Sequence, residues 1–229
     1  MYVALVTVGD EILAGDTINT NAAWLGQRLA ERGVDVERVT VIPDRIEEIA
    51  RVVGEYHTEY DAVIVTGGLG PTHDDLTIEG VAAALDRAVE RNEAALSWLL
   101  EEGGYERDEL TAGTADLPQG ARPLHNEVGV APGAVVEGIY VLPGVPDEMK
   151  AMFESVEAEF EGEPRYVARV FTTEPESELV PRLAELRERF DVTVGSYPGD
   201  GVKLKLTGTD ERTVEDAAGW LRERVELAE

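Results

Sequence analysis

Cysteine is absent from this 229-residue chain. That excludes disulfides, thiolate zinc sites and a cysteine nucleophile. Histidine is nearly absent as well. His57, His73 and His125 are scattered, a pattern unsuited to a histidine-rich zinc centre. No run of eighteen or more apolar residues occurs, so no membrane-spanning helix is expected. The N-terminus enters a strand pattern at once, with no basic start and no small-residue cleavage site. A secretory signal is therefore not expected, and the protein reads as cytoplasmic. Positive charge is scarce: 20 basic residues face 47 acidic ones, a net charge of −27. Such a surface repels nucleic-acid phosphates, so nucleic acid is not expected as a partner. The acids run along the whole chain instead of forming one tail. A plain solvated surface is one reading. Adaptation to high salt, where ions screen the self-repulsion, is the favoured one. Disorder is set aside, because apolar periodicity persists throughout.

What is present is a 43% hydrophobic chain, enough for one large core or a medium domain plus a small one. Tyr2–Val8 is a near-continuous β-rich run, as in a strand buried on both faces. Asn21–Glu31 carries Ala22, Leu25 and Leu29 at helical spacing, behind three cap-competent residues, and Gly33 stops it. Val34–Ile42 and Ala62–Thr66 read as strands. Arg45–Glu55, Leu76–Leu85 and Glu90–Glu102 read as helices. Alternation of this kind predicts a parallel sheet with helices on both faces. Ligands in such sheets sit outside the carboxyl ends of the strands. Gly9–Asp10, Pro43–Asp44 and Gly67–Asp75 all fall at such ends, and their convergence on one edge is the central expectation.

Glu106–Gly133 is weakly periodic and reads as a long excursion or lid-like loop. Short strands broken at Gly138 follow over Ala134–Leu142. Pro143–Gly144–Val145–Pro146 makes a rigid turn, and Asp147 is placed to cap a helix through Phe160. A small βαββα unit then begins, dividing the chain into residues 1–164 and 165–229. Its strands are Tyr166–Thr172, Val192–Tyr197 and Val202–Thr209, and its helices Ser177–Phe190 and Arg212–Leu227. Pro198–Gly199–Asp200–Gly201 supplies a hairpin turn.

The segment Thr66–Gly67–Gly68–Leu69–Gly70–Pro71–Thr72–His73–Asp74–Asp75 carries the densest chemistry. Glycines bring backbone N–H groups close to an anion, through positive φ and the missing side chain. The helix from Thr77 adds a positive dipole end, and Thr66 and Thr72 can donate hydroxyl hydrogen bonds. An ordinary strand-to-helix turn would look the same. No Gly-Lys-Ser/Thr follows, so it is not a P-loop. Asp74 and Asp75 beside a phosphate site call for a cation, and Mg²⁺ takes carboxylate and phosphate oxygens together. One of the two aspartates is then a helix cap and the other a ligand. Gly9–Gly15 forms a second acidic turn containing Asp10. Asn19 and Asn21 either hold ligand hydroxyls or cap the helix, and Asp44 is open to the same capping role. Lys150 either neutralises phosphate or is a solvated helix lysine. No Ser–His–acid arrangement stands out.

Four segments together resemble the N-terminal region of the CinA family, within the molybdopterin-binding fold of the MogA, MoaB and MoeA groups. They are GDEILAGDTINTNAAWLGQRL, TGGLGPTHDDLT, NEVGVAPG and LPGVPDEMKAMF. The C-terminal unit resembles the small domain that follows in CinA-type chains. The resemblance implies a three-layer α/β sandwich with a mainly parallel sheet, plus the small α+β domain. It implies that Gly67, Gly68 and Gly70 hold phosphates. Asp75, Asp44 and Asp10 match the relatives' acidic positions. Asn21 and Asn126 are candidates for ribose or base contact and Gly144 for substrate binding, and the resemblance points to a homo-oligomer. Relatives of this type are linked to metal-dependent hydrolysis of ADP-ribose or FAD. The amidase region of longer CinA proteins is not found, so amidase activity is not expected. Pterin-binding relatives commonly read Thr-Gly-Gly-Thr-Gly. Leu69 here removes one hydroxyl, which fits the CinA branch.

The expectation is therefore a metal-dependent nucleotide pyrophosphatase. Asp10, Asp74 and Asp75 are the candidate metal ligands. The alternatives are a molybdopterin-binding protein and a nucleotide-binding protein without catalysis.

Overall fold

The computed structural model describes residues 1–70, 72 and 75–228. Pro71, His73, Asp74 and Glu229 lie outside them, and with Asp74 goes one candidate metal ligand. The chain forms two compact units, Met1–Gly162 and Glu163–Glu229.

In chain order the first unit contains β1 (Tyr2–Val8), α1 (Asp10–Ala14), α2 (Thr20–Glu31), β2 (Asp35–Ile42), α3 (Ile46–Glu59), β3 (Ala62–Gly67) and α4 (Thr77–Ala84). It continues with β4 (Val89–Arg91), α5 (Glu93–Glu101), β5 (Asp116–Pro118), β6 (Arg122–Leu124), β7 (Gly133–Val136), β8 (Ile139–Pro143) and α6 (Pro146–Val156). The main sheet has the order β2-β1-β3-β8-β7-β6. Its first three pairings are parallel and its last two antiparallel. Alternation along the strands divides the core. Val3, Leu5, Ala62, Ile64 and Leu142 pack with Leu25 and Leu29 of α2 and Met149, Met152 and Phe153 of α6. Val6, Val8, Val63 and Val65 face the other way, against α3, α4 and α5. Three layers result, with a mixed, mainly parallel sheet in the middle.

Several local expectations are corrected. The acidic turn after β1 is a short helix, closed by Gly15 at φ 80°, a left-handed cap that glycine adopts without strain. Glu90–Glu102 is not one helix: β4 pairs with β5, and Asn92 then caps α5 by accepting the Ala95 N–H. The Glu106–Gly133 excursion is not a free lid. It contributes β5, β6 and the start of β7 to the two sheets and buries Ala115, Leu117, Ala121, Leu124 and Asn126. Strands of three residues are too short to show a period in sequence. α6 starts on Pro146 with Val145 as its cap residue. Asp147 sits in the first turn instead, where a carboxylate favours the helix dipole. Glu137 and Gly138 both have positive φ, 48° and 79°, the geometry of a two-residue hairpin turn between β7 and β8.

The second unit contains β9 (Tyr166–Thr172), α7 (Glu176–Arg189), β10 (Thr193–Gly199), β11 (Gly201–Gly208) and α8 (Glu211–Arg222). Its antiparallel sheet has the order β10-β11-β9. Val170, Leu204 and Leu206 face Leu183, Trp220 and Leu221 of the helices. The opposite face of this sheet carries no helix of this unit. Among the described residues, no helix is long and apolar enough to cross a membrane.

Candidate functional site

Parallel pairing brings the carboxyl ends of β1, β3 and β8 side by side. Thr7 lies beside Thr66, and Gly67 beside Pro143. The chain leaves each strand there, into α1, into the glycine turn and into α6. A cavity of about 500 Å³ opens between these exits. The glycine turn (Gly67, Gly68 and Gly70) lines it, together with four carboxylate side chains: Glu11, Asp44, Asp75 and Glu148. Among the described residues, no lysine or arginine lines it.

The glycine requirement differs from the sequence expectation. None of Gly67, Gly68 and Gly70 has a positive φ. Space is the constraint instead. A Cβ on Gly68 would collide with Asp75 Oδ1, and one on Gly70 would come within 2.7 Å of Asp75 Oδ2. A Cβ on Gly67 would strike the Thr77 hydroxyl. The turn therefore wraps closely around the Asp75 carboxylate, which also accepts a hydrogen bond from Thr72 Oγ1. Asp75 is not the cap of α4, whose cap residue is Leu76 with no side-chain cap bond. The capping alternative for Asp75 is thereby removed.

Asp44 accepts the Asp10 backbone N–H through Oδ2 at 2.8 Å. It thus caps α1 across the sheet edge, and not the helix that follows it. Burial pushes the Asp44 carboxyl above its ordinary value, opposed by that amide and assisted by the charges of Asp10 and Glu11. The Asp10 side chain is exposed and does not line the cavity; its neighbour Glu11 does.

A smaller cavity of about 80 Å³ adjoins, sharing Val8, Glu11 and Gly144 with the first. It is lined by Thr7, Thr66, Asn19 and Asn21. Asn19 has two tasks: Oδ1 accepts the Ala22 N–H as the cap of α2, and Nδ2 donates to Thr7 Oγ1. Thr66 Oγ1 donates to the same Thr7 oxygen at 3.4 Å. Asn21 does not cap. It is buried, and its Nδ2 donates to the Gly144 carbonyl at 2.7 Å, tying α2 to the turn before α6. Among the described residues, Asn21 Oδ1 and Thr77 Oγ1 are buried without a protein partner, open groups of the kind that ordered water or a ligand satisfies.

Asn126 is buried and fully engaged. Its Nδ2 donates to the Ala131 carbonyl and to Glu148 Oε2, at 3.0 and 2.7 Å. Its Oδ1 accepts from Val128 and Gly129. Asn126 is therefore placed as a positioning residue, holding the Glu148 carboxylate against Gly129, where a Cβ would collide with it. Lys150 pairs with Asp147 at 3.2 Å on the surface of α6 and lines neither cavity. Glu11 and Glu148 are the lining groups that sequence reading passed over. Both sit one residue beyond a singled-out aspartate, at Asp10 and Asp147, and line the cavity where those aspartates do not.

Among the described residues no group of three His, Cys, Asp or Glu side chains is close enough to hold a metal ion by itself. Mg²⁺ does not require one, because it commonly takes one or two carboxylates and completes its shell with substrate phosphates and water. Four carboxylates around one cavity fit that mode.

Two family models cover the chain. The probable molybdopterin binding domain matches residues 4–161, and the FAD synthase middle domain matches residues 164–228. Protein TK1472 of Thermococcus kodakarensis is 39% identical, with 98% of this chain and 97% of the relative aligned. A CinA-like protein of Frankia casuarinae is 45% identical over 67% of this chain, and the match spans 38% of that relative. The crystal structure of CinA, of unknown function, from Thermoplasma acidophilum superposes with a TM-score of 0.64 at 37% identity. It covers 70% of this chain and 99% of that one.

Proposed function

The chain belongs to the molybdopterin-binding-domain family, with an FAD-synthase-type middle domain, and from that premise we propose a metal-dependent nucleotide pyrophosphatase acting on a dinucleotide such as ADP-ribose or FAD. One observation carries the reading: among the described residues, four carboxylates line one cavity with the glycine turn, and no lysine or arginine does. Phosphates entering it meet repulsion unless a divalent ion accompanies them.

Each residue then has a task. Backbone N–H groups of the Gly67–Gly70 turn face the pyrophosphate oxygens. One or two of the lining carboxylates Asp75, Glu11 and Glu148 would hold the cation, probed first with Mg²⁺, with substrate phosphates and water completing its shell. When bound, the ion supplies charge neutralisation and Lewis acidity at phosphorus. Asp44 is the candidate base. Its raised affinity for a proton suits it to take one from the attacking water, while Oδ2 stays on the Asp10 amide. Water oxygen bonds to one phosphorus, the bridging P–O bond breaks, and two monophosphates leave. Asn21, with its unpartnered Oδ1, is the candidate acceptor for a ribose hydroxyl.

The test is a panel of ADP-ribose, FAD, NAD and ATP, with and without Mg²⁺ or Mn²⁺, read by product chromatography. Metal-dependent cleavage of at least one dinucleotide is expected, abolished by chelation. Absence of turnover across panel and metals overturns the reading. The family description favours a second reading, a pterin carrier. Leu69 weighs against it, because this buried side chain packs in the core and offers no hydroxyl. Fluorescent pterin that co-purifies with the chain, without dinucleotide cleavage, would establish that alternative.

A further inference from the structure

The outer face of the small sheet differs from the rest of this acidic protein. Register places Tyr197, Lys203 and Phe171 in one row across the three strands, and Gly195, Lys205 and Arg169 in the next. Their neighbours Val170, Leu204 and Leu206 point into the core, so these six face outward. Tyr197 and Phe171 are each about half exposed, at 50% and 51%. The Tyr197 ring lies down over Gly195: a Cβ there would sit 2.9 Å from Cε2 and from the hydroxyl. Lys203 Nζ stands 5.2 Å from the same ring centroid.

The cations of this face stand together without acids. Two of the chain's three lysines are here. Among the described residues, none of Arg169, Lys203 and Lys205 has a carboxylate partner. Elsewhere in the unit Arg182, Arg189, Arg212, Arg222 and Arg224 pair with glutamate or aspartate, and Arg187 donates to the Val194 carbonyl. Three unneutralised cations held together lack a counter-charge. Two aromatic rings beside them offer apolar faces to a flat ligand.

We propose that this face binds single-stranded nucleic acid, with bases stacking on Tyr197 and Phe171 and phosphates meeting Lys203, Lys205 and Arg169. Open sheet faces with aromatic rings and flanking cations suit unpaired bases, because every base has a π-face and the backbone carries regular negative charge. Three strands and two to three rows of side chains span about 10 by 14 Å, room for two or three nucleotides. The net charge of −27 excludes a broad footprint, not a local one. Exposed charges more than a Debye length away, about 8 Å at physiological salt, are largely screened.

The experiment uses the full chain and fluorescein-labelled ten-residue oligo-uridine and oligo-thymidine, read by anisotropy with chelator present. Binding is expected, with log K falling against log salt at a slope of about −2, as three neutralised phosphates give on a single strand. Tyr197→Ala and Phe171→Ala should each weaken it by roughly five- to a hundredfold. Lys203→Gln and Lys205→Gln should each flatten the slope by about 0.7. All four positions are on the surface, and unchanged melting temperatures confirm that each variant folds. Binding unaffected by these changes overturns the proposal, as does no binding at low salt. Displacement by excess ADP-ribose would move the site to the main cavity and equally overturn it. Equal affinity for a polyaspartate peptide would replace nucleic acid with an acidic protein partner.

Discussion

Two carboxylates, one in each unit, are held in opposite ways. Glu174 in the small unit receives two hydrogen bonds from Arg182 and a third from the Glu226 amide. The Arg182 guanidinium first, and that amide second, hold its carboxyl below the ordinary range. Asp44 in the large unit accepts the Asp10 amide, while burial, helped by two neighbouring acids, pushes it up. The contrast extends to the units themselves. Residues 1–162 carry ten basic and 32 acidic residues, whereas residues 163–229 carry ten and fifteen. Where charge serves folding it is paired. Where carboxylates gather unpaired around a cavity, the arrangement costs stability and calls for a ligand that supplies the missing positive charge.

The sharpest way to break this contrast is to remove unpaired charge at the cavity. Asp75→Asn keeps shape, and turnover of the cleaved dinucleotide should fall about a hundredfold or more, as for loss of a catalytic group. Nucleotide binding without metal should persist or tighten, since one repelling charge is gone. Gly68→Val should abolish both binding and turnover, because its Cβ occupies the place of the Asp75 carboxylate. Isothermal titration beside steady-state kinetics reads both. Full activity in Asp75→Asn with an inactive Gly68→Val would leave the turn as a binding site and move the chemistry elsewhere.

A smaller effect is expected at Asn126, which links loop to cavity. Asn126→Ala leaves two loop amides, one carbonyl and the Glu148 carboxylate without their partner. A loss of about 2–3 kcal/mol in urea unfolding is expected, the scale of buried groups left unsatisfied. If Asn126 instead contacted substrate, stability would change little and only KM would rise.

Much of this was legible in sequence because periodicity reports burial. Two central strands, Tyr2–Val8 and Ala62–Thr66, read as apolar runs, and α2 and α3 showed their core stripe. The glycine turn and Asp75 stood out because glycines and acids beside a strand end are chemically conspicuous. What escaped were features set by tertiary pairing. The short strands β4, β5 and β6 have too few residues for a period. Asp44 capping α1 rather than α3, and Asn21 reaching Gly144, are contacts between segments 34 and 123 residues apart. Leu69 looked like a missing hydroxyl but is a buried core side chain. The basic face of the small sheet was hidden because −27 is an average. Only strand register shows that Lys203, Lys205 and Arg169 share one surface.

The two contrasting carboxylates should respond with opposite signs. Asp44→Asn keeps an acceptor for the Asp10 amide and removes a charge that burial disfavours, so the melting temperature at pH 7 should rise by a few degrees. A raised folded pKa means the ionised group costs stability as pH rises through the ordinary aspartate value of 3.8. The benefit of the mutation should therefore vanish as pH falls below that value. Glu174→Gln should lower the melting temperature at pH 7. A depressed folded pKa contributes stability that is present above the ordinary glutamate value of 4.5 and lost as pH falls through the folded one. The deficit of this variant should shrink in acid. Calorimetry of both variants from pH 7 to pH 3 checks the signs, and a shared sign would undo the comparison.

The smallest expected effect, but the one that tests the whole charge distribution, is that of salt. Unpaired acids in the large unit repel one another over distances that dilute buffer does not screen. At 0.1 M salt the screening length is about 10 Å, and at 1 M about 3 Å. Surface ion pairs such as Arg51–Glu48 and Arg28–Glu31 weaken under the same screening, but each contributes about 1 kcal/mol or less. With 32 acids against ten bases, relief of repulsion should exceed the lost pairing, so the melting temperature should climb steadily from dilute buffer to molar KCl. Salt also strengthens apolar burial by exclusion from the surface, and pH separates the two causes. Near pH 4 a large share of the exposed carboxylates is protonated, and a screening effect should shrink with them, whereas an exclusion effect should stay. A flat or falling curve at pH 7 would remove adaptation to high salt as the reason for the acidic surface.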